Sequence, residues 1–266
     1  MDTRFWGPSG WRLLHLVAST PTRSKAVKEW FGLLEYVLPC KYCRASFHDY
    51  IRKLPLTDDI IADPDRFGRW MFDIHNMVND KLRQQGLLKA PNPSWESVKH
   101  PKAKEFVGWD FFTSIAFTTP GPGTHSTPLP GGRNAKTLAE RNRYNRLTCA
   151  ERLRLLRRWW TLIPAILPVA EWRRAWQASV TAKGPDATSS KGIPVSGGRQ
   201  AMMKWLWALE EGVCSRLQCE THHDSLPQLE TVCAAFESTC GTAKRGKTCR
   251  TRKQRLRRFL TRRRRN

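Results

Sequence analysis

The sequence predicts an all-α protein. Apolar residues recur at three- and four-residue spacing through the first 90 residues, no segment there reads as a convincing strand, and 12 of the 266 residues are tryptophan. Rings of that size fill interfaces between helices. The first helix is expected over Gly10–Ser19, with apolar residues at 11, 13, 14, 17 and 18. Ala26–Leu38 repeats the pattern through Val27, Trp30, Phe31, Leu34, Val37 and Leu38. Pro39 then punctuates the chain, and a short helix is expected from Cys40 to about Lys53. Asp63-Pro64 opens the next helix with proline in its first turn, and its stripe is Phe67, Trp70, Met71, Ile74, Val78 and Leu82. Residues 91–107 are Pro-rich and loop-like, and Trp109–Phe117 is a further short helix. Thr118–Gly132 has the composition of a flexible connection. One basic helix is expected from about Lys136 to Ile163, a polar linker over Lys183–Gly198, and an amphipathic helix over Gln200–Leu217. The remainder is polar and Cys-rich and ends in an arginine run.

A chain of 266 residues allows one large domain or two small ones, and 40 % apolar residues suffice for a core. Cysteine occurs at 40, 43, 149, 214, 219, 233, 240 and 249. The start, Met1-Asp2-Thr3-Arg4-Phe5-Trp6, is not an apolar leader. No apolar run reaches the ~20 residues that span a bilayer. The expectation is therefore a soluble protein made in the cytosol and touching no membrane, where cysteines serve redox or metal chemistry more often than as staples. The net charge of +23 is uneven: residues 1–110 carry 17 basic and 13 acidic side chains, whereas residues 244–266 carry 13 basic and none acidic. Such a tail binds polyanions by counterion release or serves as a nuclear address; Phe259 is its one aromatic, too little interleaving to argue for base stacking, and non-specific contact with nucleic acid is expected.

The second half echoes the first in order. Gly10-Trp11 with Val17-Ala18 matches Gly108-Trp109 with Ile115-Ala116 at an offset of 98. Trp30-Phe31 with Val37-Leu38-Pro39 matches Trp159-Trp160 with Ile166-Leu167-Pro168 at 129, and Arg69-Trp70 with Val78 and Leu82 matches Lys204-Trp205 with Val213 and Leu217 at 135. Packing residues persist and chemical ones are lost: His15 becomes Thr113, Cys40 and Cys43 become Val169 and Trp172, and His75-Asn76 becomes Glu210-Glu211. If real, residues of about 100–220 are a degenerate copy that kept the fold and lost the site.

The chemistry concentrates in Pro39-Cys40-Lys41-Tyr42-Cys43. A helix N-terminus lowers a thiol's pKa through its unpaired N–H groups, and two intervening residues let both sulfurs share one turn. The other use of Cys-x-x-Cys is half a zinc site, which needs two more ligands; His48 follows five residues after Cys43, but no second Cys-x-x-Cys exists. His75, Asn76 and Asn79 at helical spacing, with Lys81, offer donors beside an apolar stripe, suited to a nucleotide-like ligand. Cys214 with Cys219, or Cys233 with Cys240, could form a second redox pair, a structural disulfide or free thiols, and Cys219, His222 or His223, Cys233 and Cys240 a zinc site.

Gly7-Pro8-Ser9-Gly10-Trp11 with His15, Pro39-Cys40-Lys41-Tyr42-Cys43 with Phe47, and Trp70 with His75-Asn76-Met77-Val78-Asn79-Asp80-Lys81-Leu82 together resemble the Erv/ALR family of FAD-dependent sulfhydryl oxidases. The likeness covers roughly residues 5–95 and is nearest to members encoded by large DNA viruses. It implies a helical bundle holding FAD at its mouth over residues 1–98; the internal echo makes 99–220 a second helical domain and candidate degenerate copy, and composition makes 221–266 a polar segment with an Arg-rich tail. It implies Cys40 as the interchange sulfur and Cys43 as the sulfur against the flavin. Gly7, Trp11, His15, His75, Asn76, Val78, Asn79, Lys81 and Lys89 would form the FAD site, and no metal would be bound. Thiol-bearing proteins and molecular oxygen would be the partners, in a homodimer or an internal pseudo-dimer. Localisation would be host cytoplasm, assembly site or virion, with the nucleus open through the tail. Two departures stand out: Pro8 occupies a position where the family often has Arg, and no cysteine lies between 43 and 149 to form the structural disulfide of many relatives. The reading from a different class is a basic helical nucleic-acid-binding or scaffold protein whose cysteine pair is structural or metal-binding.

Overall fold

A computed structural model describes residues 1–21, 25–181, 192–220 and 225–237. The Arg-rich tail, Cys240, Cys249, His222, His223 and most of the 183–198 linker lie outside them. The described residues contain helices and no strand. None of these helices is long and apolar enough to cross a membrane.

Local chemistry starts each helix. Helix α1 (Thr3–Ala18) begins where the Asp2 carboxylate accepts the Arg4 amide at 2.9 Å, earlier than the apolar pattern alone suggests. Helix α2 (Lys25–Val37) stops before Pro39, and α3 (Lys41–Lys53) is capped by Cys40, whose sulfur accepts the Cys43 amide at 3.2 Å. A single turn, α4 (Asp58–Ile61), leads to α5 (Pro64–Gln84), where Asp63 caps and Pro64 occupies the first turn. Helix α6 (Trp109–Phe117) follows the loop, as expected.

The single basic helix expected from Lys136 to Ile163 is instead two, α7 (Leu138–Arg143) and α8 (Cys149–Ile166). Each has a capping box, Thr137 with Glu140 and Thr148 with Glu151, and between them Asn145 adopts a left-handed φ of 55°. Two Thr-x-x-Glu signatures mark two starts, and a search for apolar spacing alone overlooks them. Helix α9 (Ala170–Thr181) precedes α10 (Gly198–Leu217). The region expected to be merely polar contains α11 (Leu226–Ala235); beyond it Phe236 stacks on Phe5 at 4.9 Å.

Helices α1, α2, α3 and α5 pack as one group, and α6, α8, α9 and α10 as a second, around one continuous apolar core. The groups meet where α1 lies on α6 and α2 on α8. At the centre Trp30 and Trp159, both fully buried, stack at 5.1 Å and 20°. Contacts cross reciprocally between positions paired by the offset of 98, Gly10 with Gly108 and Leu13 with Phe111. A Cβ on Gly10 would stand 3.1 Å from Phe111, and one on Gly108 would stand 3.0 Å from Leu13. Gly108 also has φ of 113°, so a side chain there would meet both strain and a neighbour. Internal details recur at the same spacings. Arg44 donates to the Leu38 carbonyl at 2.7 Å, and Arg173 to Leu167 at 2.7 Å. Thr20 donates to Leu16 and Thr118 to Ser114, at 2.7 and 2.8 Å. Phe31 meets Trp70 edge-on at 6.0 Å, and Trp160 meets Trp205 edge-on at 5.4 Å.

Candidate functional site

A cavity of about 650 Å³ opens between α1, α3 and α5. Its size suits a cofactor-sized ligand. The N-terminal turn of α3 brings Cys40 and Cys43 to its wall, with Gly7 and Trp11 from α1 and His75, Val78, Asn79 and Lys81 from α5. Most of the wall is apolar, including Leu14, Leu34, Phe47, Leu82 and Leu88, while Arg4, Arg12 and Lys81 supply positive charge.

Three expected site residues do not line it. His15 stands behind His75, its Nε2 2.9 Å from His75 Nδ1. Asn76 is one position round the helix, partly exposed, and Lys89 is exposed beyond the end of α5. Conversely, Tyr42, Ser46 and Tyr50 line the cavity and did not stand out in the sequence. Their signal was their place on α3: Tyr42 lies between the cysteines, and 46 and 50 follow it at four-residue steps. Ser46 accepts a hydrogen bond from Lys81 Nζ at 2.5 Å, which anchors the ammonium beside the dithiol.

Trp11 stacks on His75 at 3.8 Å and 10°. Burial pushes His75 down to about 3 and His15 down to about 4, so both imidazoles are neutral near pH 7 and one donates to the other.

The two sulfurs differ. Both are free thiols here; Cys40 is buried at 3 % exposure, and Cys43 is partly exposed towards the cavity. Burial raises the Cys40 thiol. The hydrogen bonds from the Cys43 thiol and amide, the Met1 amino group and the Arg44 guanidinium more than offset this, leaving it at about 7. The hydrogen bond to Cys40, burial and the Cys40 charge push Cys43 up, against the Lys81 ammonium. The reduced pair thus gives up its first proton near neutrality, from Cys40, and keeps the second on Cys43. The expected result is thiolate absorbance that rises with a midpoint near pH 7 in the reduced protein and loses that step in Cys40→Ser. An unchanged first step in the variant would assign the thiolate elsewhere.

His48, the candidate zinc ligand, is buried and engaged with Glu35 at 2.6 Å, and no group of metal-binding side chains occurs among the described residues. Cys214 is buried in α10 beside Cys219, and burial and that neighbour raise its thiol far above the usual range.

In the internal echo, the positions of the second group that align with the site carry apolar side chains. At the positions 129 beyond Cys40, Cys43 and Phe47 stand Val169, Trp172 and Trp176, and 98 beyond Trp11 stands Trp109. Phe106 stacks on Trp109 at 4.5 Å and meets Trp172 at 5.0 Å, and Trp109 stacks over Trp176 at 6.1 Å. All four rings are buried.

Residues 8–97, which carry most of the cavity lining, match the Erv1 / Alr family. Over 119 residues the chain is 33 % identical to a probable FAD-linked sulfhydryl oxidase of Acanthamoeba polyphaga mimivirus, covering 42 % of this chain and 82 % of that protein. It is 32 % identical over 101 residues to the FAD-linked sulfhydryl oxidase of an African swine fever virus isolate, covering 36 % of this chain and 77 % of that one. It is 33 % identical over 89 residues to the mitochondrial FAD-linked sulfhydryl oxidase ERV1 of Saccharomyces cerevisiae, covering 31 % of this chain and 46 % of that one. No solved structure matches the chain. With a third of the residues identical over most of the mimivirus protein's length, and a dithiol set into the matched segment, the chain belongs to the Erv1/Alr family.

Proposed function

We propose that this protein is a FAD-linked sulfhydryl oxidase that makes disulfides in thiol-bearing proteins, with Cys40 and Cys43 as its redox pair and molecular oxygen as final acceptor. The observation that carries this is the dithiol on the wall of a cavity large and apolar enough for a flavin. Apolar side chains suit the ring system. Arg4, Arg12 and Lys81 suit a pyrophosphate, and the Trp11–His75 stack suits a base lying against it. His15 supports His75 from behind, and Gly7, Val78 and Asn79 complete the walls. Asn76 and Lys89 have no part in this reading.

The chain's own residues account for the thiol steps. A substrate thiolate attacks Cys40 Sγ of the Cys40–Cys43 disulfide; one S–S bond forms, one breaks, and Cys43 leaves as thiolate. With Cys40 held in the mixed disulfide, the hydrogen bond and charge that raised Cys43 are gone, and the Lys81 ammonium stabilises it. A second substrate thiolate displaces Cys40, giving substrate disulfide and leaving two electrons on the dithiol. Cys40 as the sulfur that meets incoming thiols rests on the likeness to the family; it is buried at 3 % exposure and lines the same cavity as Cys43, so the turn that holds it has to yield to a substrate. When bound, the flavin supplies the two-electron acceptor that returns the dithiol to disulfide and delivers the electrons to oxygen as hydrogen peroxide.

The second half is a degenerate copy of the first, turned about a pseudo-two-fold axis near Trp30 and Trp159. Reciprocal contacts, repeated hydrogen bonds and the aromatic filling around Trp172 support this. The purified protein is expected to show a flavin absorption band at one flavin per chain and to consume oxygen with a dithiol. A colourless protein that FAD cannot reconstitute would overturn the oxidase reading; two flavins per chain would overturn the degenerate copy. The 13 basic side chains of residues 244–266 confer non-specific polyanion affinity. Deleting them is expected to shorten retention on heparin, and unchanged retention would remove this role.

A further inference from the structure

On the reverse side of the dithiol turn lies a second cavity, of about 560 Å³, which the oxidase chemistry does not use. Pro39 and Lys41 flank Cys40 and line this side, as Cys40 itself lines the other. Its basic lining is Lys41, Arg44, His125, Arg152 and Arg199, and no Asp or Glu occurs among the described residues that form it. At the rim Arg199 is paired with Glu237 at 3.0 Å. Deeper in, no carboxylate pairs with the charges; the anion that Arg44 meets is the Cys40 thiolate of the reduced pair, on the other side of the turn. Arg152, only 6 % exposed, and Arg44 both donate to the same oxygen, Asn145 Oδ1, at 3.0 and 2.9 Å. Their other protein acceptors are the Tyr36 and Leu38 carbonyls at the end of α2, and the Nε of each has none.

Binding the end of a helix is a sufficient reason for one arginine. Arg44 has that role, since Arg173 repeats its bond in the second half. It is no reason for a second buried guanidinium beside the first. Two cations sharing one neutral oxygen repel each other, and burial followed by the Arg44 charge pushes Arg152 down to about 9. A single oxyanion would relieve both, and guanidinium donors match its geometry.

We propose that this cavity is an oxyanion site, which takes a phosphate or carboxylate group between Arg44 and Arg152 beside the dithiol turn. The group is either a free anion or an acidic side chain of the protein being oxidised; the second source rests on the oxidase reading, while the site itself does not. Phosphate is the probe, titrated into the FAD-loaded full chain against potassium chloride of equal ionic strength, with the thermal midpoint as readout. The expected result is a saturable rise, with affinity weakened about tenfold or more in Arg152→Gln. Thr127→Glu places a carboxylate at the exposed rim and is expected to compete in the same way; it decides the question if Arg152→Gln does not fold. A rise no larger than that in chloride, or equal affinity in the wild type and the folded variants, would overturn the site.

Dithiol peptides carrying Glu beside the cysteines, compared with Gln versions, separate the sources. An advantage in kcat/KM for the acidic peptide that disappears in Thr127→Glu assigns the substrate's carboxylate. Equal turnover alongside saturable phosphate binding assigns a free anion. Turnover of neither peptide would count against the oxidase reading and leave the phosphate result standing.

Discussion

Replacing Cys43 with alanine is expected to lower dithiol-driven oxygen consumption by ~10³-fold or more while the protein still binds flavin. The variant removes one sulfur from the cavity wall and leaves the rest of the lining in place. Helix α3 keeps its cap, because the bond runs from the residue 43 amide to Cys40 Sγ. What disappears is the leaving group that accepts electrons from the mixed disulfide, and no described thiol besides Cys40 is left on the cavity wall. Cys40 is better tested as serine, since alanine would also remove the cap at a cost of ~1 kcal/mol. Cys40→Ser is expected to be as inactive as Cys43→Ala and similarly coloured. A Cys43→Ala protein retaining a tenth of the wild-type rate would place the redox pair elsewhere, with Cys214 and Cys219 the next to test.

The largest expected stability effect is far from the chemistry, at the join between the halves. Trp159 is fully buried, stacked on Trp30 at 5.1 Å and packed edge-on against Phe111, Phe112 and Trp160 at 5.9, 6.0 and 5.1 Å. Truncating such a ring to alanine costs ~3–5 kcal/mol, because the surrounding rings cannot close the cavity. For a chain of this size each kcal/mol lowers the thermal midpoint by ~2–4 °C, so Trp159→Ala is expected to melt roughly 6–20 °C lower. That is a large part of a typical stability of ~5–15 kcal/mol. Trp30→Ala is expected to act similarly, and the double variant to show a coupling of ~0.5–1.5 kcal/mol from the stacked pair. Additive losses would mean that the rings stabilise the molecule independently. A change below ~1 kcal/mol in Trp159→Ala would show that the halves are not held together through this contact.

The two expectations sit on different levels of the same sequence. Local features were open to reading along the chain. Helical spacing shows which faces of α1, α2 and α5 turn inward, because adjacent residues and a fixed period decide it. Pro39 before Cys40 places the dithiol at the start of α3, since a helix cannot run through that junction. The Thr-x-x-Glu signatures that divide α7 from α8 were equally local, and only the preference for one long apolar pattern concealed them.

Tertiary structure alone decided which of those faces meet. His15 and His75 lie 60 residues apart, and their hydrogen bond depends on how α1 lies on α5. Asn76 follows His75 in the chain but misses the cavity, because one step along a helix rotates a side chain by about 100°. Lys81 reaches Ser46 for the converse reason, across 35 residues of sequence. The internal echo pairs Cys43 with Trp172, but it does not say what surrounds that ring. That four rings from positions 106 to 176 converge there follows only from packing. Periodicity is a property of neighbours in the chain, whereas a site is a property of neighbours in space, selected when separate apolar faces leave water together.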